Sequence, residues 1–125
     1  MSTFLLRNGA LLDPTRADLL EGFEVLIEDG KIREVSDQPI KSAHAQVIDV
    51  KGKTIMPGLI DLHVHVVAIE FNLPRVATLP NVLVVDGNPL RSVDCLLGQG
   101  EHIPLVMKDG RIFINELDRA RASAR

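Results

Sequence analysis

The sequence predicts a mainly β fold, a small sandwich or partly open barrel with one extra strand and short helical turns, and three observations predict it. Short apolar runs alternate with Gly, Asp and Asn turn residues along most of the chain. One hairpin pattern occurs twice, as Val25-Leu26-Ile27-Glu28-Asp29-Gly30-Lys31-Ile32-Arg33-Glu34-Val35 and, about eighty residues on, as Leu105-Val106-Met107-Lys108-Asp109-Gly110-Arg111-Ile112-Phe113-Ile114. Aromatic residues are nearly absent, four Phe with no Trp or Tyr, so the core has to be built from Val, Ile and Leu.

In chain order, Phe4–Arg7 and Ala10–Leu12 are expected to pair as a short hairpin turned at Asn8-Gly9. In the next hairpin Asp29-Gly30 takes the two central positions of a type I′ turn, where both residues need positive φ. The polar stretch Pro39–Ala45 reads as a loop, and Val47–Val50 and Thr54–Met56 flank Lys51-Gly52-Lys53 as strand, turn and strand. Beyond Pro57-Gly58, the aliphatic run Leu59–Val67 reads as a buried strand that places Asp61, His63 and His65 on one face. Pro74 and Pro80 interrupt the following stretch, which is assigned to a loop or a short helix. Val82–Val85 is the next strand, closed by the turn Asp86-Gly87-Asn88-Pro89, and Leu90–Leu97 is read as one or two helical turns capped by Gly98. Asp109-Gly110 turns the last hairpin, and the charged, Ala-rich end of the chain is expected to fray. The expected organisation is a single β-sandwich domain over 1–125, formed by 2–56 and 82–116, with the extra strand and its following loop at 57–81 and 117–125 as a frayed tail.

Composition removes several classes of function. With 125 residues the chain is too short for an architecture that needs roughly 250 residues. A net charge of −3, from 14 basic and 17 acidic residues, and the lack of stacking aromatics argue against a nucleic-acid partner. The apolar stretches Leu62–Ile69 and Val76–Val85 fall short of the roughly 18 residues of a membrane span, so no membrane partner is expected. Cys95 is the one cysteine and no leader pattern opens the sequence, which gives a reducing, cytoplasmic location as the expectation.

His63 and His65, two residues apart on a strand, have roots about 7 Å apart on one side, close enough for both imidazoles to reach one cation. They are the candidate metal ligands, with Asp61 as a possible third ligand or as the acceptor that orients an imidazole, and Glu70 as a more distant candidate. Imidazole donors favour zinc or another divalent transition metal over calcium or magnesium. The alternative reading of the same residues is two ordinary strand histidines and a capping carboxylate. His44 and His102 are read as solvated surface histidines and Cys95 as a small buried apolar side chain. No residues are assigned to catalysis.

The run Pro57-Gly58-Leu59-Ile60-Asp61-Leu62-His63-Val64-His65 resembles the segment that opens the catalytic barrel of the amidohydrolase superfamily of metal-dependent hydrolases. The sequence around Asp29-Gly30 and Val47–Gly58 resembles that superfamily's N-terminal β-segment, and Val82–Leu90 with Leu105–Ile114 its C-terminal one. Phe71-Asn72-Leu73 and the histidine pair look most like the branch of prolidases and arginine carboxypeptidases, which cleave dipeptides or N-acyl amino acids. In such enzymes the resemblance implies one small sandwich made of both β-segments beside a (β/α)8 barrel that lies between them in sequence. Here the two segments are nearly adjacent, so 57–81 corresponds to the first barrel strand and its loop, and the remaining ligands of the family's metal centre have no matching position.

Three readings follow from this resemblance. In the first, the chain is an amidohydrolase reduced to its β domain, inactive alone and with at most a partial metal site. The second is a zinc hydrolase of dipeptides or N-acyl amino acids completed between copies, which takes a small amide substrate only if a complete site forms. The third is a non-catalytic β interaction module. The aliphatic side chains of 59–77 also predict a homo-oligomer, since leaving several of them in water forfeits several kcal/mol.

Overall fold

The computed structural model describes residues 2–58 and 82–118. Their strands are β1 (Thr3–Asp13), β2 (Asp18–Glu28), β3 (Lys31–Ser36), β4 (Gln46–Asp49), β5 (Thr54–Pro57), β6 (Val82–Val85), β7 (Leu105–Lys108) and β8 (Arg111–Asn115). All belong to one sheet in the order β3-β2-β1-β5-β6-β7-β8, with β4 paired to β1 beside β5. The mainly β expectation therefore holds, in the form of a single open sheet that does not close into a barrel.

Both Asp-Gly hairpins form as the turn chemistry requires. Asp29 and Gly30 have φ of 48° and 80°, Asp109 and Gly110 have 47° and 70°, and β2–β3 and β7–β8 pair antiparallel on either side. The strand Val82–Val85 also falls where the apolar run places it. All four of its residues are buried, because β6 lies between β5 and β7 and is covered on both faces.

The expected hairpin at Asn8-Gly9 is not formed. β1 runs on through Asn8 and Gly9 as one strand, and the irregularity is a bulge at which β1 changes partners from β4 to β5. Asn8 sits at φ 61°, which supplies the local bend without reversing the chain. A Cβ on Gly9 would stand 2.3 Å from Val50 Cγ2 and 2.6 Å from the Lys53 carbonyl oxygen, so glycine is set here by the close approach of the β4–β5 connection. The true reversal comes later, at Asp13–Asp18, where Asp13 Oδ1 accepts from the Thr15 amide at 2.8 Å and from its hydroxyl at 2.6 Å. Val47–Val50 and Thr54–Met56 do contain strands, but these pair in parallel with β1 at successive positions rather than with each other.

The sheet is strongly curled. In a flat sheet β2 and β7, four positions apart, would be separated by roughly 20 Å. Yet Val25 and Ile27 of β2 share one buried cluster with Leu105 and Met107 of β7, along with Phe4, Leu6, Ile55, Val82 and Val84. The Asp29-Gly30 and Asp109-Gly110 turns also meet: a Cβ on Gly110 would lie 2.7 Å from the Gly30 amide nitrogen. Ser2 bridges the two, its carbonyl accepting from the Asp29 amide at 3.0 Å and its hydroxyl donating to the Gly110 carbonyl at 2.7 Å.

Two loops cover the outer face. Ile40, with Ala45 against it, packs on Leu5 and Leu26, and the Ile40 amide donates to Glu24 Oε2 at 2.8 Å. The segment after β6 packs Cys95, Leu96 and Ile103 on Met56, Leu83 and Val85. The helical turns expected over Leu90–Leu97 reduce to a 3-10 turn at Val93–Leu96, in which the Ser92 hydroxyl accepts from the Asp94 amide. It ends because Leu97 is extended, with φ −86° and ψ −172°.

Candidate functional site

The predicted metal ligands His63 and His65, with Asp61 and Glu70, and the strand Leu59–Val67 that carries them, lie outside the described residues. What the structure defines is the pair of points that bracket them. β5 and β6 are antiparallel neighbours, with Thr54 opposite Val85 and Pro57 opposite Val82. The chain thus departs from the sheet after Pro57 and returns to it at Val82, at directly opposed residues whose Cα atoms are about 5 Å apart in such a pair. The ladder between them is firm. Ile55, Met56, Val82, Leu83, Val84 and Val85 are all buried, and Thr54, the one buried polar side chain among the described residues, donates from Oγ1 to the Gly87 carbonyl at 2.7 Å.

At the other end of this ladder, roughly 10 Å along the strands, the residues after β6 line an open groove of about 340 Å³ formed by Asp86, Gly87, Asn88, Arg91, Ser92, Asp94, Cys95 and His102. Lys53 Nζ lies 3.4 Å from Asp86 Oδ2 in a half-buried ion pair that ties the start of β5 to the end of β6. The Asp86 amide donates to the His102 carbonyl at 2.8 Å. Cysteine, histidine and aspartate therefore share one wall. They are not wired as a nucleophile and base: Cys95 is buried in the apolar cluster and its Sγ donates to the Ser92 carbonyl at 3.5 Å, while His102 is exposed at the rim. His44 is exposed on the Pro39–Ala45 loop. The sequence readings of Cys95 as an apolar packing residue and of both histidines as solvated therefore hold.

A cation finds no ready ligand set among the described residues, since no three His, Cys, Asp or Glu side chains converge there. The described residues by themselves therefore supply no zinc centre. The perturbed carboxylates lie elsewhere. Thr15, through its hydroxyl and its amide, lowers the pKa of Asp13, and the Lys51 amide and the Asn8 side chain do the same for Asp49, in both cases by hydrogen-bonding the charged form. Each stabilises a turn. No helix among the described residues is long and apolar enough to cross a membrane.

Comparison with known proteins shows similarity to one group of enzymes. A dihydroorotase of Aquifex aeolicus (strain VF5) is 42% identical over 66 residues, 52% of this chain and 15% of the relative. A dihydroorotase of Syntrophotalea carbinolica is 48% identical over 61 residues, 49% of this chain and 14% of the relative. Among solved structures, one described as an amidohydrolase is 85% identical with a TM-score of 0.51, over 63% of this chain and 19% of the other. A prolidase solved with N-methylphosphonate-L-proline is 42% identical with a TM-score of 0.51, over 76% of this chain and 22% of the other. No family model matches the chain. The chain spans about one seventh of the length of these curated relatives.

Proposed function

We propose that this chain, a member of the amidohydrolase superfamily, is the β unit of such an enzyme carried without its catalytic barrel, with no hydrolase activity of its own and at most a partial metal site at His63 and His65. The register of Pro57 against Val82 carries this reading. A body placed between the two β-segments has to leave the sheet and come back to it at neighbouring points, and β5 and β6 offer such a pair. Because the two residues already face each other across the ladder, the sheet is complete whether the intervening chain is long or short.

The chemistry agrees with it. A bound zinc would lower the pKa of its water and polarise an amide carbonyl, but it needs about three protein ligands and an open position. Two histidines and one aspartate, with Glu70 more distant, are the whole of the predicted set, and the described residues add no cluster to it. The substrate class that the sequence resemblance implies, dipeptides or N-acyl amino acids, would apply to a completed site only.

Elemental analysis across a light-scattering peak, followed by amide hydrolysis assays on dipeptides and N-acyl amino acids, tests the proposal. The expected result is well under one zinc per chain and no zinc-dependent turnover. About one zinc per chain, with turnover that is lost in His63→Ala, would overturn it in favour of a centre completed between copies. The same peak tests the homo-oligomer proposed through 59–77, which a mass equal to one 13.7 kDa chain at all concentrations would rule out.

A further inference from the structure

We draw no further inference here: the strongest candidate, the exposed apolar pair Phe113 and Ile114 on the edge strand β8, lies at a bulge that blunts the strand edge, and nothing in the structure shows what covers it.

Discussion

Gly110 shows how a residue read from local turn chemistry acquires a second role in the folded chain. Its φ of 70° suits the type I′ turn, and a Cβ there would also collide with the Gly30 backbone and with Ser2 Oγ at 2.8 Å. Gly52 has nearly the same φ, 74°, with open space around it. Gly52→Ala is therefore expected to cost about 1 kcal/mol from the left-handed conformation alone, and Gly110→Ala roughly 2 kcal/mol or more, because the two turns must also separate. Urea midpoints of the two variants measure this, and equal losses would mean that the turn contact contributes nothing. Asp49 gives a residue-scale prediction in pH. Its folded pKa lies below the ordinary 3.8, so the stability it contributes is present above that value and is lost as pH falls through the folded one. Asp49→Asn keeps an acceptor for the Lys51 amide but removes the titration. Its melting temperature is expected to fall less than the parent's between about pH 7 and about pH 2, with Asp13 contributing to the acid sensitivity that remains.

At the scale of elements, the legible parts were those whose signal is complete within a few residues. Asp-Gly between apolar runs specifies a hairpin because the turn and both strands are local, and both such hairpins form where expected. Asn8-Gly9 carries much the same turn signal but becomes a bulge, because Leu6–Arg7 and Ala10–Leu11 find their partners in β4 and β5, some forty residues away. The N-terminal half of β2, Asp18–Phe23, was not legible at all; its mixed polar pattern makes sense only once its partner is known to be the second half of β1. The β5–β6 ladder yields the clearest element-scale prediction. Replacing residues 58–81 by a two-residue Asn-Gly turn should leave the sheet intact, since Pro57 and Val82 already oppose each other. Shortening a connection of about 24 residues to two should stabilise the chain by roughly 2 kcal/mol through loop-closure entropy. Amide spectra and thermal unfolding report this directly, and collapse of the β5 and β6 signals would show that the replaced segment is needed to hold the sheet.

At the scale of the whole molecule, the curl makes one core out of two distant sequence segments. Leu105 is fully buried among side chains from β1, β2, β5 and β6, so Leu105→Ala should cost about 3 kcal/mol. If the core is one cooperative unit, that variant lowers hydrogen-exchange protection in β2 as much as in β7. Loss confined to β7 and β8 would mean that the two ends of the sheet unfold separately. The candidate metal residues are a different case. His63 and His65 are candidate ligands by their spacing in the sequence, but spacing is one-dimensional, and whether a cation is held depends on donors that other elements would have to bring within about 2 Å of it.

The sequence by itself determined the mainly β class, the two type I′ hairpins, the buried strand Val82–Val85, the apolar role of Cys95 and the family resemblance, since each rests on local conformational preference, patterning or motif order. Only the tertiary structure decided that Asn8-Gly9 bends a strand instead of ending it, that the sheet curls until its two Asp-Gly turns touch, and that Pro57 and Val82 face each other across one antiparallel ladder. These depend on which distant backbone groups pair and on how a twisted sheet buries its inner face, quantities that belong to the assembled fold and to no single segment of it.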